Sequence, residues 1–160
     1  MNNNKVFKVI LVGKTNTGKS FLFNEIIKKK LSLESNVSYT TKDLIQFTIN
    51  NINYIDSGDF FPWSYKQDNY SVKLMNYFNI ISNKIVSEIN ESDLILLVFN
   101  NIIGFTIWDL RIAKYIQKCK KNKQKVIIIN NESSINDLNL LKYNLNHEGL
   151  NQLYDDIISI

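Results

Sequence analysis

Residues 13–20, GKTNTGKS, combine the residue types and the spacing that bind a phosphate group. They match the pattern G-x-x-x-x-G-K-[ST] in full, between a β-branched run and a segment with helical spacing. Small residues let backbone N–H groups converge on phosphate oxygens, and the start of the helix adds the positive end of its dipole. In this pattern Lys19 contacts the β- and γ-phosphates and the Ser20 hydroxyl ligates magnesium. The alternative is a glycine-rich turn without chemical meaning, which the strand before it and the helix after it disfavour.

Hydrophobic spacing predicts the strand and the helix that hold this loop. The run KVFKVILV predicts a strand over residues 5–12, and Leu22 and Ile26 predict a helix from Lys19 to about Lys30. The elements predicted next are a loop over 31–43, strands over 44–49 and 52–56 joined by a tight turn at Asn50 and Asn51, and an irregular segment over 58–69.

The second half of the chain alternates helices with strands. Apolar residues at three- and four-residue steps predict a long amphipathic helix over about 71–90, and LILLVF at 94–99 is apolar throughout, as a strand buried on both faces should be. The remaining predicted elements are a helix over about 106–122, a strand over 126–129 and a terminal helix carrying Leu150, Leu153, Tyr154, Ile157 and Ile158. This alternation predicts a doubly wound, mainly parallel α/β sheet, which binds ligands at the carboxyl ends of its strands.

Composition favours one globular domain over residues 1–160. The chain is 44% hydrophobic with a net charge of +4, and Asn, Ile and Lys dominate while Arg111 is the only arginine. Cys119 is the only cysteine, so an internal disulfide or a zinc site of cysteines is excluded and a reducing compartment is expected. Apolar runs are too short to span a bilayer, which predicts a cytoplasmic protein without a membrane partner.

Five motifs spread over nearly the whole chain are NTGKSFLFNEI at 16–26, TKD at 41–43, Asp56 after INYI, GFT at 104–106 with Asp109, and HEGLNQLYDDI at 147–157. Together they resemble the translation-linked GTPases, and most closely the first GTPase domain of the tandem-GTPase ribosome-assembly family Der (EngA). The stretch NTGKSFLFNEI is similar to the family's N-x-G-K-S-x-L-F-N, and Thr41-Lys42-Asp43 resembles its switch I T-R-D. The tetrapeptide TTKD is also similar to the tRNA-modifying relative MnmE. Asp56 follows INYI in the place of the switch II aspartate, and GFT at 104–106 with Asp109 resembles G-L-T-P-x-D. The end, HEGLNQLYDDI, is similar to the family's terminal helix.

The resemblance implies a three-layer P-loop GTPase-like domain with a mainly parallel six-stranded sheet and one antiparallel edge strand. It implies that Lys19, Thr41 and Asp56 act in catalysis and that Asn16 helps to bind an activating K⁺. For Mg²⁺ it implies a site in which Ser20 and Thr41 are ligands and Asp56 reaches the ion through water. The reaction would be attack of water on the γ-phosphate of GTP, driven by positioning and charge neutralisation. Alone, Thr41 is more typical of a loop and Asp56 of a strand-end cap, but their order and spacing favour a site. The residues implied for binding GTP or GDP are Gly13, Asn16, Thr17, Gly18, Lys19, Ser20, Phe21, Asn130 and Asn131.

Three motifs depart from the family pattern. Asp59 stands where D-x-x-G has its glycine, which puts a carboxylate near the third phosphate. Ser133 stands where N-K-x-D has its aspartate, so the preference for guanine should fall at least about tenfold unless Asp137 substitutes. Asn144 and Leu145 stand where the family has a Ser-Ala pair, so the base pocket is expected to lack a wall.

The sequence therefore predicts a GTPase domain that binds nucleotide with magnesium, hydrolyses GTP slowly and acts in assembly of the large ribosomal subunit. The alternative is a pseudo-GTPase, a binding or scaffold module without guanine specificity or hydrolysis, which Asp59 and Ser133 favour. A small-molecule kinase or ATPase is disfavoured, because one arginine cannot supply the usual arginine clamps and lid.

Three weaker candidates have structural explanations beside the functional ones. The aromatic cluster at 60–65, FFPWSY, is either a partner-docking surface or packing over the sheet edge. The lysines of residues 118–125 either contact ribosomal RNA phosphates or form a solvated helix end. His147 is interpreted as a cap or surface residue rather than a catalytic one.

Overall fold

The computed structural model describes residues 5–14, 16–31, 38–40, 44–58, 60, 72–100 and 106–130. Within these ranges, the strands are β1 (Phe7–Val12), β2 (Ser38–Thr40), β3 (Ile45–Ile49), β4 (Ile52–Asp56), β5 (Leu94–Phe99) and β6 (Lys125–Asn130). The helices are α1 (Lys19–Leu31), α2 (Val72–Glu91) and α3 (Ile107–Cys119). The predicted terminal helix lies outside the described residues. None of the helices in the described part of the chain is long and apolar enough to cross a membrane.

The strands form one six-stranded sheet in the order β2-β3-β4-β1-β5-β6. β1 pairs in parallel with β4 and with β5, and β5 pairs in parallel with β6. β3 runs antiparallel to both of its neighbours. The predicted mainly parallel α/β fold is confirmed, and β1 lies inside the sheet with the phosphate loop at its carboxyl end.

The edge of the sheet differs in detail from the prediction. Residues 38–40 were predicted to be loop, but they form β2, which pairs with β3 from Ser38 opposite Thr48 to Thr40 opposite Gln46. The antiparallel strand β3 therefore lies one position in from the edge rather than at it. A strand of three residues is too short to show a period of two, so its sequence carried no strand signal.

The tight turn between β3 and β4 is confirmed at Asn50 and Asn51. Both residues have positive φ, 49° and 63°, and Ile49 pairs with Ile52 across the turn. Two consecutive left-handed residues are typical of the type I′ hairpin turn, which asparagine tolerates better than most side chains.

Helices cover both faces of the sheet and give it two apolar cores. On one face α1 packs its Leu22, Phe23 and Ile26 against the sheet, and on the other α2 and α3 pack Ile85, Ile89, Ile112 and Ile116. Successive residues of a strand point to opposite faces, so the predicted double burial of β5 is confirmed, with Leu96 in one core and Leu97 in the other.

Helix α3 ends three residues before its predicted end. Lys120 is extended (φ −60°, ψ 128°), and the chain turns back with Gln124 N–H donating to the Lys121 carbonyl at 3.0 Å. The Gln124 side chain accepts from Lys121 N–H at 2.7 Å and donates to the carbonyls of Ile89 and Ser92 at 2.6 and 2.7 Å. This buried amide fixes the turn against the end of α2, so tertiary contacts rather than helix propensity set the end of α3.

Candidate functional site

The phosphate loop leaves β1 at Val12 and enters α1 at Lys19. Gly13 is packed so closely against β5 that an added Cβ would lie 2.3 Å from the Val98 carbonyl oxygen, so only glycine fits. Asn16 and Gly18 have positive φ, 60° and 88°, which bends the backbone into the start of the helix. The first turn of α1 carries no acidic residue, so the positive end of its dipole is available to an anion.

Lys19 is buried within the loop. Its side chain folds back so that Nζ donates to the carbonyl oxygen of Lys14 at 2.5 Å, and Lys19 is only 5% exposed. The Thr17 hydroxyl donates to the same carbonyl at 3.1 Å. The ammonium group therefore lies inside the loop, where the sequence places a phosphate-binding lysine.

Two residues predicted to hold magnesium, Ser20 and Asp56, meet beside this loop. Asp56 is the last residue of β4, opposite Leu11 of β1, and it is 2% exposed. Its Oδ2 accepts a hydrogen bond from Ser20 Oγ at 2.6 Å, and its Oδ1 accepts one from Gly58 N–H at 3.0 Å. A hydroxyl and a carboxylate are the hard oxygen ligands that Mg²⁺ prefers, so this pair fits that ion.

A buried ion pair joins the loop to the first turn of α3. Lys14 Nζ donates to Asp109 Oδ2 at 2.7 Å and to Thr106 Oγ1 at 3.1 Å. The side chains of Lys14 and Asp109 are 10% and 5% exposed. The sequence motifs include Asp109 but assign no role to Lys14. The available signal was a lysine inside a loop that packs against the sheet, because a buried cation needs a carboxylate partner.

Several predicted site residues lie outside the described part of the chain. They are Thr41, Asp59, Asn131, Ser133, Asp137, Asn144, Leu145 and His147. Asn130 is described as the last residue of β6, with its backbone opposite Phe99. Phe21 lies in the first turn of α1 and is 37% exposed. The described set thus brings the loop, Ser20 and Asp56 together at the carboxyl ends of β1 and β4.

The first residue of the aromatic cluster is a core residue. Phe60 is fully buried, and its ring meets that of Tyr115 edge to face, with 5.7 Å between the ring centroids. This contact favours packing over partner docking for Phe60, while residues 61–65 lie outside the described ranges.

Comparisons with known proteins agree with this geometry. The model of a family described as 50S ribosome-binding GTPase matches residues 8–131. GTPase Der of Kosmotoga olearia is 29% identical over 134 residues, which cover 81% of this chain and 28% of that protein. The tRNA modification GTPase MnmE of Prochlorococcus marinus is 31% identical over an alignment covering 94% of this chain and 33% of that protein. The chain spans about a third of the length of these curated relatives.

Two solved structures share the fold. A crystal structure of Era in complex with MgGDPNP and nucleotides of 16S ribosomal RNA has a TM-score of 0.51 and 25% identity. A variant of Era from Aquifex aeolicus bound to GDP.AlF4- has a TM-score of 0.52 and 21% identity. Each match covers 97% of this chain and 47% of the Era chain.

Proposed function

We propose, because this chain belongs to the family of 50S ribosome-binding GTPases, that its phosphate loop binds GTP and GDP with Mg²⁺ and slowly hydrolyses GTP. The resemblance to Der is confirmed by relatives of that name. The observation that carries the proposal is the 2.6 Å contact between Ser20 Oγ and Asp56 Oδ2 beside the buried Lys19. Residues 36 positions apart in the sequence converge where a magnesium-bound triphosphate would lie.

The chemistry assigned to the chain is positioning and charge neutralisation. Backbone N–H groups of the loop bind phosphate oxygens, and Lys19 places a positive charge against the β- and γ-phosphates. Ser20 and Asp56 would hold Mg²⁺, which neutralises charge that develops on the phosphates. Water attacks the γ-phosphorus, the bond to the bridging oxygen of the β-phosphate breaks, and GDP and phosphate leave.

The remaining assignments are also proposals. Thr41 completes the magnesium set, and Asn16, at the exposed bend of the loop, takes part in binding K⁺. The nucleotide is held by the residues that the family resemblance implies, which are Gly13, Asn16, Thr17, Gly18, Lys19, Ser20, Phe21, Asn130 and Asn131. Ser133 in place of an aspartate leaves guanine with a weaker acceptor, so the preference for guanine over adenine should be small.

The proposed partner is the assembling large ribosomal subunit. Support for the large subunit comes from the family description, 50S ribosome-binding GTPase. The Era structure contains 16S ribosomal RNA, which belongs to the small subunit, so it supports contact with ribosomal RNA but not with the large subunit in particular. The chain spans about a third of the length of its curated relatives, so the proposed role is the part that this domain plays in that assembly.

Binding of fluorescent GTP, GDP and ATP, with and without Mg²⁺, tests the nucleotide assignment. The wild type should bind all three, GTP and GDP most tightly, and Lys19→Ala should weaken binding at least about tenfold because it removes a charge-assisted hydrogen bond to phosphate. The matched control is Lys28→Ala, which removes an exposed lysine of α1 that pairs with Glu25. Equal binding by wild type and Lys19→Ala would contradict the proposal.

The second candidate function is a pseudo-GTPase, favoured by Asp59 and Ser133 in the sequence. Single-turnover hydrolysis of bound GTP separates the two candidates. Mg²⁺-dependent release of phosphate that is lost in Asp56→Asn supports the GTPase. Tight GTP binding without phosphate release supports the pseudo-GTPase.

A further inference from the structure

Both ends of Lys14 make contacts that bear on the phosphate site. Its carbonyl oxygen accepts hydrogen bonds from Lys19 Nζ at 2.5 Å and from Thr17 Oγ1 at 3.1 Å. Its ammonium group donates to Asp109 Oδ2 at 2.7 Å. Lys14 therefore connects the phosphate-binding Lys19 to helix α3, which begins 88 residues after Lys19 in the sequence.

The other partner in this contact, Asp109, is itself fixed. Its Oδ2 accepts from the backbone N–H of Thr106 at 2.8 Å and from the hydroxyl of Thr106 at 2.9 Å. The same carboxylate caps the start of α3 and neutralises Lys14. Because both side chains are largely buried, water competes little for these bonds and their geometry is well defined.

We propose that Lys14, held by Asp109, is a positioning residue for Lys19. The ion pair fixes the backbone of Lys14, and the Lys14 carbonyl in turn fixes the ammonium group of Lys19 against the β- and γ-phosphates. Displacement of that ammonium disturbs its contact with the γ-phosphate, which only a triphosphate has, as well as its contact with the β-phosphate, which GDP shares, so GTP binding should suffer more than GDP binding. This inference rests on the proposed function, because it assigns a role within the same nucleotide site.

Stability and positioning can be separated by neutralising one or both partners. Lys14→Met or Asp109→Asn alone leaves one buried group without its counter-ion, which destabilises the fold. The double variant Lys14→Met/Asp109→Asn removes both charges, and the asparagine oxygen still accepts the Thr106 bonds. The double variant should therefore melt closer to the wild type than either single variant does.

The double variant should nonetheless remain defective in its response to the third phosphate. We expect its Kd for a non-hydrolysable GTP analogue to rise about tenfold, its Kd for GDP to change less than about threefold, and any kcat for hydrolysis to fall about tenfold. Lys14→Arg, which retains a cation within reach of Asp109, should recover most of the loss. A purely structural ion pair would leave the ratio of GTP-analogue to GDP affinity unchanged.

The matched control is Lys8→Met, in β1, the strand that leads into the phosphate loop. Lys8 Nζ pairs with Glu91 at 2.7 Å and with Glu88 at 3.4 Å, at the end of β1 away from the loop. Losing these pairs should lower the melting temperature without altering the affinity ratio or kcat.

The outcomes distinguish this inference from the function on which it rests. Wild-type protein that binds neither nucleotide contradicts the proposed function, and the inference falls with it. Wild-type protein that binds both, beside a double variant with the same affinity ratio and kcat, overturns the positioning role alone.

Discussion

The hydroxyl of Tyr54 is buried in the core beneath α1. Tyr54 is 0% exposed, and its hydroxyl oxygen has no hydrogen-bond partner among the residues that the structure describes. A buried polar atom without a partner costs stability, so Tyr54→Phe should raise the free energy of unfolding by about 1 kcal/mol. Urea denaturation at pH 7 measures this change. A loss of stability would show that the hydroxyl is bonded after all.

The same residue should make the fold sensitive to alkali. Burial raises the pKa of Tyr54 from 10.0 to about 12, so the folded state holds this proton more tightly than the unfolded state does. The contribution of protonated Tyr54 to the free energy of unfolding is complete below pH 10 and is lost as pH rises toward 12. Tyr54→Phe should therefore lose less stability than the wild type between pH 10 and 12. Burial and a contact with Cys119 also raise the pKa of Tyr115 to about 12. The wild type and Tyr54→Phe both contain Tyr115, so it does not contribute to the difference between them.

Single residues also show where sequence reasoning succeeded and where it could not. Lys19 and Ser20 belong to a local motif, and Asp56 ends a strand whose apolar pattern is clear, so all three could be located from sequence. Lys14 and Asp109 are 95 residues apart in the sequence, and nothing in the sequence around either residue predicts that they form an ion pair. Gln124 is similar, because its bonds to the end of α2 depend on how two helices and a strand meet.

The start of β1 is tied to the turn before β5 through Asp93. Asp93 Oδ1 accepts from Lys5 Nζ at 2.6 Å, and Oδ2 accepts from the backbone N–H of Lys8 at 3.0 Å. Burial would raise the pKa of Asp93, but these bonds to Lys5 and Lys8 outweigh it and lower the pKa below its ordinary value of 3.8. The contribution to stability is therefore present above pH 3.8 and is lost as pH falls through the lower pKa of the folded state.

Asp93→Asn should lower the free energy of unfolding at pH 7 by about 1 kcal/mol, since the Lys5 partner is exposed and screened. The difference between variant and wild type should shrink as pH falls below 3.8. Chemical denaturation at a series of pH values measures it. If the difference in stability between Asp93→Asn and the wild type did not change with pH, the destabilisation would come from lost packing or backbone hydrogen bonding rather than from the lost charge.

Most of α3, the turn after it and the first residue of β6 form a basic segment, residues 111–125. It holds seven Lys and Arg residues and no Asp or Glu. Lys120 and Lys121 donate to the carbonyls of Gln124 and Asn90 at 3.4 and 2.9 Å, whereas Lys118, Lys123 and Lys125 have exposed side chains suited to phosphate contacts. Its lysines at 118–125 lie at the amino ends of β5 and β6, away from the phosphate loop.

If ribosomal RNA is the partner, the triple variant Lys118→Ala/Lys123→Ala/Lys125→Ala should bind a ribosomal RNA fragment more weakly. The slope of log K against log salt concentration should flatten by about 2, because each lysine that neutralises a phosphate of single-stranded RNA contributes about 0.7 to that slope. Nucleotide affinity should not change, and Lys28→Ala serves as the control for removal of an exposed lysine elsewhere. An unchanged salt slope would mean that these lysines do not contact RNA phosphates and only form a solvated helix end.

Among the strands and helices, length and burial decided which could be predicted. β5, and β1 from Val9 to Val12, are apolar at successive positions because helices cover both faces of the sheet, and the sequence alone shows that pattern. β2 exists only through its pairing with β3, and α3 ends where Gln124 fixes the following turn. Both features depend on partners distant in sequence or on side-chain bonds, which periodicity does not report.

The sheet as a unit explains why the phosphate loop lies where it does. The order β2-β3-β4-β1-β5-β6 places β1 between two parallel neighbours, and the chain leaves β1 for α1 on one face while α2 and α3 cover the other. Ligands of open α/β sheets bind where the connections diverge in this way. The alternation of elements predicted the class of fold but not the strand order, because periodicity along one chain does not specify which strands are neighbours.

Because nucleotide should bind the folded chain and not the unfolded one, it should stabilise the molecule as a unit. GDP with Mg²⁺ at a hundred times its Kd adds about 2.7 kcal/mol, which for a domain of this size raises the melting temperature by about 5 to 10 °C. Lys19→Ala should show little shift at the same concentration, and Asp56→Asn should lose the part of the shift that depends on Mg²⁺. Differential scanning fluorimetry with and without a magnesium chelator measures each part. A melting-temperature shift of equal size in Lys19→Ala would mean that the nucleotide binds away from the loop. A wild-type shift that is unchanged by the chelator would contradict the assignment of Ser20 and Asp56 to Mg²⁺ binding.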